Sequence, residues 1–145
     1  MDDALRDKLL RIYADSKTIA VVGASADEAK PSFRIPRYLQ SQGYLIRPVN
    51  PKSGVILGEQ AVASLADVEA PIDVVDVFRP AAEAPGIARQ AVAAGARVLW
   101  LQSGIASEEA RRLAEDAGLT VVMDRCMGAT HAELGLGPGP PPPRD

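Results

Sequence analysis

The chain has 145 residues, 47% of them hydrophobic, and a formal net charge of −3. This length suits one domain with a packed core, and the hydrophobic content excludes a disordered chain. The negative charge argues against general binding to nucleic acid or to a membrane surface, so a bound anion must be met by local cations. Cys126 is the only cysteine, which excludes an intramolecular disulfide and indicates a reducing compartment.

The N-terminal segment predicts an amphipathic helix. Leu5, Leu9 and Ile12 fall on one side of a helix that should end near Ser16. Its charges distinguish it from a signal peptide, and no later apolar run reaches the length of a membrane span. We therefore expect a soluble, cytoplasmic protein.

Short apolar runs that alternate with helical segments predict a parallel sheet. The strands are expected at 18–24, 44–50, 72–78, 97–102 and 119–124, with a weaker edge strand within 55–62, and the helices at 33–42, 64–68, 81–94 and 107–117. Gly43, Gly95 and Gly118 each follow a predicted helix, at the position where helices commonly end in a residue with left-handed backbone conformation. Ser107 is the expected N-cap of the last of these helices. Strands this apolar are buried on both faces. The fold class is therefore α/β, a doubly wound, mostly parallel sheet in a Rossmann-like single domain.

The domain is expected to cover residues 1–136, followed by a flexible tail over 137–145 that is rich in proline and glycine. In doubly wound folds the ligand lies at the carboxyl ends of the strands, where the strand order reverses. The first strand should lie between the second strand and the strand at 72–78. The strand tips that matter are then 23–32, 50–52, 78–80 and 102–104.

The first tip has only part of a dinucleotide-binding fingerprint. Gly23 allows a sharp turn and close approach of a ligand, but Ala24 and Ser25 follow where a dinucleotide site has further glycines. The loop offers backbone amides, the Ser25 hydroxyl and the Lys30 ammonium group. Two interpretations of this loop remain open. It is either a binding site for a diphosphate, which we favour, or an ordinary turn with solvated charges.

The helix after this loop should strengthen an anion site. Ser32 is the expected N-cap, so that the free amides and the dipole of the helix would favour a nearby anion. Arg34 adds a second cation beside Lys30. Pro36 is expected in the first turn, where its missing N–H costs little.

The second tip argues against NAD. NAD-binding domains place an acidic residue about 20 residues beyond the glycines to hold the ribose. Here the second strand ends in Asn50, Pro51 and Lys52, and no acid is in reach. A lysine suits a phosphorylated ribose, which both NADP and coenzyme A carry. The missing glycines count against NADP, while an exposed turn lysine remains the plain alternative for Lys52.

An ordered set of motifs now carries a family resemblance. The segments "VVGAS", "KPS", "RYL", "PVNPK", "DVVDVFRP" and "DRCM" span most of the chain. Together they resemble the small single-domain CoA-binding proteins, which are similar to the N-terminal CoA-binding domain of the succinyl-CoA synthetase α subunit. The resemblance implies a diphosphate at Gly23–Ser25 and the adenosine 3′-phosphate at Lys52. It also implies that Phe78, Arg79 and Pro80 line the path of the pantetheine arm.

The resemblance does not carry ligase activity with it. The synthetase subunit has a second domain with a phosphorylated histidine, and this sequence stops where that domain would begin. His131, the one histidine, does not match that position. We therefore expect no enzyme activity of this kind.

Four residues invite a chemical reading that the sequence does not support. Cys126 and His131 are five apart, a poor spacing for contact on a helix, although Cys126 follows the last strand on the ligand side. His131 is expected to be structural and Trp100 to be core. Asp76 lies in an apolar strand without any visible environment that would shift its pKa.

The function we expect is binding of coenzyme A or an acyl-CoA by a non-catalytic carrier, sensor or regulatory protein. The expected ligand contacts are Gly23, Ala24, Ser25, Lys30, Ser32, Arg34, Asn50, Pro51, Lys52, Phe78, Arg79, Pro80, Gln102, Gly104 and Cys126, with no metal site. Two alternatives stay open. One is an NADP-linked redox or nucleotide-binding enzyme on the same fold, and the other is an interaction module with a vestigial pocket that uses the tail as its contact.

Overall fold

A parallel sheet forms the centre of the computed structural model, which describes residues 1–52 and 54–138. Its strands are β1 (Thr18–Val22), β2 (Leu45–Val49), β5 (Val74–Val77), β6 (Val98–Leu101) and β7 (Thr120–Val122), arranged in the order β2-β1-β5-β6-β7. Every neighbouring pair is parallel. The predicted fold class and the predicted neighbours of β1 are confirmed.

Two helical layers cover the sheet. Helices α1 (Asp3–Asp15), α2 (Pro31–Ser41) and α5 (Met127–Glu133) pack on one face, where Tyr13, Phe33 and Met127 are buried. Helices α3 (Ala84–Ala93) and α4 (Glu108–Asp116) pack on the other face through small residues. Because side chains alternate along a strand, Val75 and Val77 face α3 and α4, while Val74 and Asp76 face the other layer.

Several predicted helix ends agree with the structure, and other predicted helices differ from it. The glycines at 43, 95 and 118 all have positive φ, and the Ser107 side chain accepts a hydrogen bond from the Ala110 amide as the N-cap of α4. The segment expected as a helix at 64–68 is a 3₁₀ turn over Leu65–Asp67. A second 3₁₀ turn, Ala81–Glu83, precedes α3. Short turns of this kind lack the repeated apolar spacing that identifies a helix.

The prediction of one edge strand within 55–62 is wrong. Strands β3 (Val55–Ile56) and β4 (Glu59–Gln60) make a separate antiparallel hairpin, with positive φ at Leu57 and Gly58 in the turn. Only Val62 reaches the main sheet, through an isolated parallel bridge to Val49. A run this short cannot hold both a turn and a sheet strand.

The start of α2 also differs from the prediction. The helix begins at Pro31, its N-cap is Lys30, and no side chain caps it, so Ser32 is inside the first turn. Pro36 is the sixth residue of the helix and lies beyond the first turn. Proline at the first helical position sets φ for the helix, which shifts the start one residue ahead of the serine.

None of the helices in the described ranges is long and apolar enough to cross a membrane. The predicted domain boundary near Leu136 falls at the end of the described core, where Leu134 is still buried. From residue 139 onward the predicted tail lies outside the described residues.

Candidate functional site

A cleft of about 670 Å³ opens at the carboxyl ends of β2, β1 and β5, where the strand order reverses. We call it the main cleft. Its walls include ten of the residues expected from the sequence: Gly23, Ala24, Ser25, Lys30, Ser32, Asn50, Pro51, Lys52, Phe78 and Arg79. Residues from three separate strand tips thus meet in one place.

Gly23 is required by a protein contact at the base of the cleft. It has φ of +89°, and a Cβ built there would lie 2.9 Å from Arg79 Cδ and 3.1 Å from the Phe78 carbonyl oxygen. The Gly23 amide donates to the Val49 carbonyl. The close approach predicted at this glycine is therefore made by the tip of β5, and its backbone amide already has a partner.

Pro36 helps to fix the loop that follows Gly23. A proline has no N–H for the carbonyl four residues earlier, and its ring pushes that carbonyl away from the helix. The carbonyl in question belongs to Ser32, and it accepts a hydrogen bond from the Ser25 amide at 3.2 Å. The Ser25 hydroxyl accepts from the Asp27 amide at 3.0 Å. The loop is thereby tied to α2.

Asn50 joins the first and second tips. Its Nδ2 donates to the Ala24 carbonyl at 2.7 Å, and its Oδ1 accepts from the Lys52 amide at 2.8 Å. The residue acts as a brace between the loop of β1 and the turn after β2. The brace leaves the exposed side chain of Lys52 at the cleft wall, with no acidic residue at this tip.

The cations of the main cleft are not equivalent. Arg79 donates to both carboxylate oxygens of Glu83, at 3.1 and 2.7 Å, and both side chains are about half exposed. Among the cleft cations in the described chain, Arg79 alone has a carboxylate partner. Its charge is therefore largely matched within the wall. Lys30 and Lys52 are the cations that a bound anion would meet.

A second cleft of about 460 Å³ continues from the first, and we call it the annex. The two clefts share Lys30, Ser32 and Phe78. The rest of the annex is Pro31, Ile35, Gln102, Ser103, Ile105 and Cys126. Its walls come from the start of α2, from the tips of β5 and β6 and from the N-cap of α5. Main cleft and annex therefore run in one direction across the sheet, from β2 to the segment that follows β7.

Cys126 and His131 have different surroundings and different hydrogen-bond partners. Cys126 is the half-buried N-cap of α5, and its Sγ accepts from the Ala129 amide at 3.4 Å. His131 is fully buried, and its Nδ1 lies 2.8 Å from the Tyr38 hydroxyl. The rings of Tyr13, Tyr38 and Tyr44 surround it. Burial lowers the pKa of His131, so the neutral imidazole is favoured.

Asp76 has the unusual environment that the sequence did not reveal. The residue is fully buried, and burial raises its pKa from 3.8 to about 7 despite the hydrogen bond from Gln102. Gln102 Nε2 donates to Oδ1, while Oδ2 has no hydrogen-bond partner in the described chain. The Gln102 Oε1 accepts from the Met127 amide at 3.3 Å. A buried acid is thus connected to the annex through one glutamine.

Three expected contacts lie outside both clefts. Arg34 is exposed on α2, Pro80 is exposed before the 3₁₀ turn, and the Gly104 amide donates to the Asp124 carboxylate at 2.6 Å. Other cleft residues were missed: Val22, Val49, Ala63, Ser64, Leu65, Glu83, Ile87 and Gln90, with Pro31, Ile35, Ser103 and Ile105 in the annex. Four of these had a signal in the sequence: Val22 and Val49 end strands, and Pro31 and Ser103 lie within the predicted tips 23–32 and 102–104.

The described residues contain no cluster of histidine, cysteine or acidic side chains that could hold a metal ion. A doubly wound parallel sheet with a cleft at its switch point places the chain in the Rossmann-like class of α/β domains. Residues 17–132 match the family model described as CoA binding domain, and the chain belongs to this family. The predicted family is confirmed.

Three similar proteins include two of about the same length as this chain and one much longer enzyme. The chain is 39% identical over 132 residues to YneT of Bacillus subtilis, covering 91% of this chain and 98% of that protein. It is 41% identical to a solved protein of Thermus thermophilus, with a TM-score of 0.83 and coverage of 92% and 99%. An ADP-forming acetate–CoA ligase of Methanocaldococcus jannaschii is 24% identical over 139 residues, 90% of this chain, which spans only 20% of the ligase.

The contact at Gly23 predicts a strong substitution effect. Gly23→Ala should destabilise the fold by more than the roughly 1–3 kcal/mol that strained backbone alone costs. Gly118→Ala is the matched control, because φ there is +92° and a Cβ would meet nothing within 4 Å. Urea unfolding of both variants gives the comparison. Equal losses would contradict the close packing of the β5 tip on Gly23.

Asp76→Asn should stabilise the protein at pH 8. A pKa raised from 3.8 to about 7 adds stability that is full below pH 3.8 and is lost as the pH rises through about 7. Asparagine stays neutral, so its advantage should grow between pH 5 and pH 8, up to about 4 kcal/mol. Urea unfolding at both pH values measures it, with the exposed Asp116→Asn as control. An advantage that does not change with pH would refute the buried-acid interpretation.

Proposed function

We propose that the protein binds coenzyme A or an acyl-CoA in the main cleft, as a carrier, sensor or regulatory protein without chemistry of its own. The observation that carries the proposal is the position of Lys52, at a second strand tip without an acid and in the same cleft as Lys30. A ribose that carries a phosphate suits this tip, whereas a ribose 2′-hydroxyl lacks its usual acidic partner.

The cleft offers a place for each part of the ligand. The 3′-phosphate of the adenosine lies at Lys52, and the diphosphate lies between the Gly23 loop and Lys30. Ser64 and Leu65 also line the main cleft. The pantetheine arm then passes Phe78, which borders both clefts. Membership of the CoA-binding family supports this assignment.

The absence of ligase chemistry belongs to the same proposal. His131 is buried among aromatic rings and bonded to Tyr38, so its Nδ1 is occupied and its ring is closed to a phosphate donor. We place the protein in the cytoplasm because its one cysteine is a free thiol.

Lys52→Ala should weaken coenzyme A binding about 10- to 150-fold, because one charge-assisted hydrogen bond is worth about 1.5–3 kcal/mol. Dephospho-CoA lacks the 3′-phosphate, so its affinity should hardly change. Lys30→Ala should weaken both ligands together if Lys30 binds the diphosphate. Calorimetric titration measures these affinities, with NAD as the comparison ligand.

Lys17→Ala is the control for a general charge effect, because Lys17 lies at the opposite end of the sheet. Equal losses for coenzyme A and dephospho-CoA in Lys52→Ala would remove Lys52 from the 3′-phosphate. Binding of NAD in preference to coenzyme A would overturn the proposed function.

His131 should accept no phosphoryl group. Incubation with ATP labelled at the γ-phosphate, acetate and coenzyme A should leave the protein unlabelled, because the imidazole is buried and hydrogen-bonded. A succinyl-CoA synthetase, whose α subunit carries the phosphorylated histidine, provides the positive control when it is labelled in parallel. Acid-labile label on His131 would show that the protein carries out the chemistry that we exclude.

A further inference from the structure

The annex is a small cleft whose described walls are mostly apolar and contain no carboxylate. Phe78 stands at its junction with the main cleft, and Pro31, Ile35 and Ile105 line it. Lys30, at the shared rim, is its only charged wall residue in the described chain. The annex lies on the β6 side of Phe78, opposite to Lys52 on the β2 side.

The two clefts together define an elongated ligand path. Adjacent strands lie about 4.8 Å apart, so the tips from β2 to β7 extend over roughly 19 Å. A ligand with its adenosine phosphate at Lys52 and its arm over Phe78 places its far end in the annex. Under the proposed function, that end carries the thiol or the acyl group bonded to it.

The floor of the annex disfavours a negative charge. Gln102 is 4% exposed, and both ends of its amide are held, by Asp76 and by the Met127 amide. The Asp76 carboxyl accepts a hydrogen bond from Gln102 Nε2; it is fully buried, and its Oδ2 has no hydrogen-bond partner in the described residues. An acyl group that ends in a carboxylate would bring a second negative charge toward a buried one, and it would lose its hydration.

We infer that the annex holds the acyl group of an acyl-CoA, that it selects short uncharged acyl chains, and that Asp76 excludes acyl groups that end in a carboxylate. Asp76 acts here through Gln102 as a specificity-determining residue. The inference rests on the proposed function, and it identifies which form of the cofactor the site prefers.

The test compares coenzyme A, acetyl-CoA, butyryl-CoA and succinyl-CoA by calorimetry at pH 8. Each methylene that the annex buries should tighten binding by up to about fourfold, which is about 0.8 kcal/mol converted to affinity. Butyryl-CoA should therefore bind more tightly than coenzyme A. Succinyl-CoA, which has the same chain length with a terminal carboxylate, should bind at least about tenfold more weakly than butyryl-CoA.

Two variants connect these differences to the annex. Ser103→Phe fills the annex from an exposed position, so the ratio of butyryl-CoA to coenzyme A affinity should fall toward one. Ala106→Phe places the same side chain on the same exposed loop outside the annex, and it should keep the wild-type ratio. Asp76→Asn should narrow the gap between succinyl-CoA and butyryl-CoA.

The outcomes separate the two proposals. No binding of any of the four ligands would overturn the proposed function. Binding of coenzyme A with no gain from a butyryl group would overturn the acyl site alone and leave coenzyme A binding intact. Succinyl-CoA affinity equal to that of butyryl-CoA, or a gap unchanged in Asp76→Asn, would overturn the role of Asp76.

Discussion

The parallel pairing of β1 with both β2 and β5 is the constraint on which the site depends. β1 is fully buried, and its register brings Val22 beside Val49 on one side and Val77 on the other. Three chain segments must therefore leave the sheet at the same edge. They diverge toward opposite helical layers, and the gap between them is the main cleft. The polar residues of the site follow from where these segments end.

The sequence predicted the sheet well because its signals are local. Apolar runs, helix-ending glycines and the Ser107 cap each act within a few residues, and the order of motifs identified the family. The strand tips that form the candidate site could be predicted from the sequence for the same reason. Ile87 and Gln90 were not, because which side of α3 faces the cleft depends on packing across the sheet. The start of α2 was misplaced because Pro31 and Ser32 are both good initiators.

Asp76 shows why chemistry can be invisible in sequence. An acid between valines can be at a strand end, on an edge or in the core, and its pKa depends on which of these holds. Burial against Tyr13 and Trp100 on the crowded face of the sheet comes from contacts distant in sequence. A buried acid such as Asp76 lowers the free energy of unfolding at neutral pH. Its position beside a cleft offers an explanation, because functional sites often retain groups that lower the stability of the fold.

Pro36 has a consequence for the thermodynamics of binding. By releasing the Ser32 carbonyl from α2, it gives the Ser25 amide a partner within the protein. The loop after β1 is therefore shaped before any ligand arrives. The loop loses its conformational entropy when the protein folds and not when the ligand binds. The free energy of binding is therefore reduced little by any rearrangement of the loop. A helix with one fewer hydrogen bond thus serves as the anchor of a preorganised loop.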